Sequence, residues 1–358
     1  MSKARQIAVR DPATWLTAWF DQNLTQRRGP SLAKHLVTEI DELPARFRLQ
    51  VLKEAVALMP KLRRAKGEAL SFEKGEALYA LVGALYTEDL SHAEEDVCAL
   101  LRSSRHDCGH GADVTPPLDI AVQWACENGV TDEWLRAVRV FVESLTGLTS
   151  IQANTLKKRA GLLLLLDASS DATARCWSER FRAGLGAVPA RERQAWQRLV
   201  LHMGTAMGTR PPKGFPAEAR RFLDEVGAST CHQRLQAWLP EPAEGAAWRL
   251  GTAGSYLLKN LVWLLGEMSR THAPLADELV ARITRLEFTP LDPLKKVAAV
   301  TAAYLVRRPP EAAYAALLRV LDWSKAFERR EGDNDTIAAL VASYARTHGL
   351  PSPVAQRA

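Results

Sequence analysis

Apolar residues recur along the chain at three- and four-residue intervals, the spacing that lines one face of an α-helix. Trp15, Leu16, Trp19 and Phe20 form one such face behind Asp11 and Pro12, which suit an N-cap and a first helical position. Leu32, Leu36, Val37 and Ile40 form a second, and Phe47, Val51, Ala55 and Leu58 a third that Pro60 is expected to close. Leu78, Leu81, Val82 and Leu85 follow, then Val97, Leu100 and Leu101, then Leu118, Ala121, Val122 and Ala125. Leu135, Val138, Phe141, Val142 and Leu145 continue the series behind the capping pattern Thr131-Asp132-Glu133-Trp134.

The second half of the chain repeats the theme. Trp177, Phe181 and Leu185 are spaced by four, followed by Trp196, Leu199, Val200 and Met203, by Phe222, Leu223 and Val226, and by Leu235, Trp238 and Leu239. Residues 256–268 are apolar on nearly all sides, as in a helix enclosed by neighbours. Amphipathic spacing returns at Leu279, Val280, Ile283 and Leu286, at Val297, Val300 and Tyr304, at Leu317, Leu318 and Leu321, and at Ile337, Leu340, Val341 and Tyr344. No run of alternating β-branched residues bounded by turn dipeptides interrupts the pattern.

Short breaks at Gly29-Pro30, Pro116-Pro117, Pro211-Pro212, Pro309-Pro310 and Gly332-Asp333-Asn334 predict successive antiparallel helical hairpins. One hairpin leaves apolar surface uncovered, so hairpins must stack. The expected fold is all-α, a HEAT/armadillo-like α-solenoid; units of roughly 40–47 residues would give about eight hairpins. The competing all-α arrangement is a globular bundle of two lobes. Expected boundaries are a repeat array over 1–240, a linker over 241–254, carboxy-terminal repeats over 255–350 and a frayed tail over 351–358. The polar stretch 103–117 is expected to loop out of the array.

Composition narrows the setting. Of 358 residues 47% are apolar and 25% charged, enough for a sizeable core. A net charge of +6 permits anionic partners without demanding them. Five cysteines without a pairing framework fit reduced thiols, the amino terminus lacks the apolar core of a secretory signal, and no apolar run is long enough to span a membrane. The expected location is the cytoplasm.

Candidate chemistry is sparse. His106, Cys108 and His110 supply metal-ligating atoms within one Gly-rich segment, but the second ligand pair of a tetrahedral site is missing. A solvated polar turn is the simpler reading, and no metal or cofactor is expected. Nucleophile elbows, zincin helices, P-loops and dinucleotide fingerprints are absent, so catalysis is not predicted. Basic clusters recur: Lys61, Arg63, Arg64 and Lys66; Lys157, Lys158 and Arg159; Arg210 with Lys213; Arg220-Arg221; Lys295-Lys296; Arg307-Arg308; Arg329-Arg330. In stacked hairpins such clusters would fall along one ridge and could track a phosphate backbone. Equally, cations near helix carboxy termini satisfy the helix dipole. Among ten tryptophans, most lie on apolar stripes, while Trp248 and Trp323 are flanked by polar residues and stand as contact candidates.

The run Leu257-Leu258-Lys259-Asn260-Leu261-Val262-Trp263, with Trp196, His202, Pro212-Lys213, Trp238-Leu239 and Lys295-Lys296 in order around it, resembles a bacterial family of helical domains. That family is labelled molybdate-metabolism-regulator-like and is associated with WGR modules; the likeness covers mainly residues 194–350. Asn260 stands where the family helix carries a glycine. The resemblance implies a HEAT-like fold and no established chemistry. Taken together, the expected function is a non-catalytic scaffold that binds a partner protein. The alternative is a DNA- or RNA-binding solenoid acting in DNA repair or regulation.

Overall fold

The computed structural model describes residues 11–24, 43–62, 81, 85, 94–103, 115–145, 151–167, 176–205, 208–239, 250, 253–286, 294–326 and 335–352. The regular elements among these residues are helices, with no strand, which establishes the all-α class. The chain divides into two compact units, residues 1–156 and 157–358. The linker expected at 241–254 lies outside the described residues apart from Leu250, Ala253 and Gly254.

The first unit holds α1 (Pro12–Leu24), α2 (Ala45–Leu62), α3 (Glu94–Ser103), α4 (Thr115–Asn128) and α5 (Asp132–Ser144). Helix α1 packs on α2, α2 on α3, and α3 on both α4 and α5. Trp15, Leu16 and Trp19 are buried as their stripe requires, and so are Val51, Ala55, Leu81 and Leu85. Trp134 and Phe141 anchor α5, and the Trp134 indole N–H donates to the Ala121 carbonyl at 2.9 Å. Pro60 does not end α2, which runs two residues further; a proline in the last turn forfeits only one terminal hydrogen bond. The stripe Leu32, Leu36, Val37 and Ile40 lies outside the described residues.

Helix α6 (Ile151–Leu163) begins before the unit boundary and ends in the second unit, where a 3₁₀ turn at Leu164–Leu166 follows. The second unit continues with α7 (Trp177–Ala187), α8 (Ala190–Gly204), α9 (Phe215–Val226), α10 (Ala228–Trp238), α11 (Gly254–Met268), α12 (Ala273–Thr284), α13 (Lys295–Leu305), α14 (Pro310–Ala326) and α15 (Asp335–Thr347). From α9 onward the packing is regular. Helices α9 and α10, α11 and α12, and α13 and α14 pack as neighbours in pairs, α9, α11, α13 and α15 pack one on the next, and α10, α12 and α14 do the same. Thus α11 sits between α9 and α13 in its row and against α12 across it, which is why its sequence is apolar all round.

One aromatic cluster joins α7, α8, α9 and α10. Phe181 meets Trp196 and Trp238 edge-on at 5.8 and 5.0 Å, and Trp196 meets Phe222 at 4.4 Å. Gly184 makes room for this cluster, because a Cβ there would lie 2.1 Å from the Trp238 indole nitrogen. Gly227, at φ +85°, turns α9 directly into α10, a backbone conformation that costs little only for glycine. No helix among the described residues is long and apolar enough to cross a membrane.

Candidate anion-binding site

Within α11, Tyr256, Lys259 and Trp263 occupy positions i, i+3 and i+7, one stripe of the helix. Lys259 is only 1% exposed. Its ammonium lies 4.5 Å from the Tyr256 ring centroid and 4.6 Å from that of Trp263, and it donates to the Gly208 carbonyl at 3.1 Å. Flanking ring faces and one carbonyl replace part of the water that a buried cation gives up. The neighbouring Asn260 donates from Nδ2 to Tyr256 O at 2.8 Å and to Met203 O at 3.5 Å.

Arg159 of α6 reaches the same place from another direction. It is fully buried, and its Nε donates to Gly204 O at 2.6 Å. Met203 and Gly204 supply two of the carbonyls that α8 leaves without intrahelical donors at its carboxy end. A guanidinium and an amide from separate helices therefore cap α8, and Lys259 fastens the segment that follows it. In this position the cations are structural, satisfying the negative pole of α8.

Their charge has a second consequence. Burial, reinforced by Lys296 and then Arg159, pushes the Lys259 ammonium down to about 7 from an ordinary 10.5. Burial, and again Lys296, lowers the proton affinity of Lys158, which is half-buried on α6. Lys296 is exposed in the first turn of α13, and its ammonium lies 5.7 Å from the centroid of the Tyr256 ring that Lys259 also covers. Lys296 of α13 thus lies close enough to act on both Lys158 of α6 and Lys259 of α11, and Arg159 of α6 acts on Lys259 as well. Elsewhere in the unit arginines meet carboxylates: Arg234 with Glu192 at 3.0 Å, Arg221 with Glu225 at 2.9 Å, Arg308 with Asp277 at 2.8 Å. The charges that act on Lys259, by contrast, are the cations Lys296 and Arg159.

Of the residues singled out in the sequence, Lys157 and Lys158 are half-buried on α6. Arg159, expected on a binding surface, is enclosed because the α8 terminus needs its donors. Arg210 and Lys213 are exposed on the segment joining α8 to α9, the segment that Lys259 holds at Gly208. Trp323 is half-buried on α14, short of the exposure expected of a contact residue. Lys61 lies in the last turn of α2; its side chain, together with Arg63, Arg64, Lys66, Trp248, His106, Cys108 and His110, lies outside the described residues. Sequence reasoning passed over Lys259, which reads only as a break in an apolar run, and over Tyr256. The signal present was a lysine and an asparagine inside a helix otherwise apolar on every side.

No family model, no curated protein and no solved structure matches this chain.

Proposed function

We propose that this chain is a non-catalytic, helical-repeat binding protein whose residues 157–358 hold a phosphate-bearing polymer, nucleic acid, at Lys158 and Lys296. The observation that carries the reading is that Lys259 of α11 and Lys296 of α13 lie over one tyrosine ring, with Lys296 also acting on Lys158 of α6. Arg210 and Lys213 are exposed on the α8–α9 segment that Lys259 tethers at Gly208. A HEAT-like solenoid suits the role, since rows of equivalent helices present equivalent positions side by side. The paired rows from α9 to α15 support that arrangement.

Gel-shift titration at low and at physiological salt tests the proposal. A basic surface that displaces counterions from phosphates must bind more weakly as salt rises. The expected result is retardation at low salt that fades at high salt and is weakened by Lys158→Ala and Lys296→Ala. Absence of any shift at low salt overturns the nucleic-acid reading and leaves the partner-protein scaffold in its place.

A further inference from the structure

The segment joining α8 to α9 is fastened at both ends to one stripe of α11. At its start the Gly208 carbonyl accepts from the buried Lys259 ammonium at 3.1 Å. At its far end Phe215 is 1% exposed, and its ring meets that of Trp263, one turn beyond Lys259, at 5.8 Å. Gly214 lies against the His202 ring of α8, since a Cβ there would come 3.8 Å from the ring Cε1. The Gly214 carbonyl accepts the Glu218 N–H at 3.2 Å, and the Phe215 N–H donates to Pro212 O at 3.0 Å, closing a turn around Lys213.

Between these anchors the backbone has little freedom. Pro211 and Pro212 each fix φ, and a proline confines the residue before it to extended conformations, so Arg210 is restricted as well. The segment nonetheless faces outward: residues 208–214 are exposed apart from the half-buried Pro212. Neither Arg210 nor Lys213 has an ion-pair partner among the described residues, whereas Arg198, Arg220 and Arg221 of the flanking helices meet carboxylates. Two cations are thus carried on stiff, stapled backbone without a carboxylate to neutralise them. Backbone that is ordered in advance lowers the cost of binding, and both side-chain types meet phosphate well, arginine through paired N–H donors and lysine as a point charge.

We infer that the 208–214 loop is a preformed phosphate-gripping element, in which Arg210 and Lys213 each contact a backbone phosphate of the bound nucleic acid. This rests on the nucleic-acid reading above and adds a second contacting element, with Lys259 and Trp263 as its positioning residues.

The test is fluorescence anisotropy on the full chain with a short labelled duplex over a range of salt concentrations. Arg210→Ala and Lys213→Ala should each make the slope of log affinity against log salt shallower by about 1. Arg210→Lys should keep the slope, and so should Arg346→Ala, which removes the same charge from an exposed position on α15. The double variant Pro211→Gly/Pro212→Gly retains both cations; it should keep the slope and bind roughly fivefold more weakly, because the loop must then be ordered on binding. Slopes unchanged in both alanine variants overturn this inference while the nucleic-acid reading stands. An equal fall in slope for Arg346→Ala overturns it too, by tracing the effect to total charge. Undiminished affinity in the glycine variant overturns the preformed character of the loop. Failure of the native chain to bind the duplex at low salt overturns the nucleic-acid reading itself, and this inference with it.

Discussion

At Lys259 a single ammonium links stability to pH. Its proton affinity in the folded chain sits at about 7, below the ordinary 10.5, because burial and then Lys296 and Arg159 oppose the charge. Between those values the unfolded chain binds more protons than the folded one, so stability rises with pH. The slope attributable to one such group approaches about 1.4 kcal/mol per pH unit within the window and vanishes below pH 7. Urea midpoints at pH 7 and pH 9 should show this rise in the native chain, and Lys259→Met should flatten it. An identical rise in the variant would assign it to other groups. The residue was visible in the sequence only as an interruption. What made it chemically distinctive, two aromatic neighbours on its own stripe and two cations from α6 and α13, depends on which helices meet, and periodicity carries no such information.

Among the helices, α5 shows how far local signals reach. Thr131 is its N-cap, with extended backbone and Oγ1 accepting the Trp134 N–H at 3.1 Å, as the Thr-Asp-Glu-Trp pattern predicts. The reciprocal half of a capping box is missing because the third helical position holds Trp134; Glu133 turns instead to Arg102 of α3 and to Arg136. Thr131 also donates to Glu94, tying the start of α5 to the first turn of α3. Thr131→Ala should therefore destabilise the chain by about 1 kcal/mol or somewhat more, with Thr131→Ser recovering most of the loss in urea unfolding. A change within a few tenths would show that the cap is dispensable. Helix identities followed well from apolar spacing, since Trp134, Phe141, Trp177, Phe181, Trp196 and Phe222 are buried where their stripes place them. Ends followed less well. Prolines at 116 and 117 belong to the first turn of α4, where the missing N–H costs nothing, although a proline pair in isolation reads as a break.

Over the second unit the repeating order of helix packing carries the functional reading. Helices α9, α11, α13 and α15 form one row, and Lys259 and Lys296, which lie over the same Tyr256 ring, come from consecutive members of that row. Of the basic clusters seen in the sequence, Arg210 and Lys296 are exposed and Lys158 is half-buried. Arg159 was misplaced because a basic residue beside two lysines looks alike whether it faces solvent or a helix terminus. A net charge of +6 is modest, so its local arrangement is what matters for binding. The most direct measurement is the salt dependence of nucleic-acid affinity for the native chain and for the Lys158→Ala/Lys296→Ala double variant. The native chain should lose affinity linearly in log salt, and the double variant should show a slope shallower by about 2, one for each phosphate-contacting lysine removed. An unchanged slope, or no binding by the native chain at low salt, would contradict the assignment of this cluster as the phosphate-binding surface.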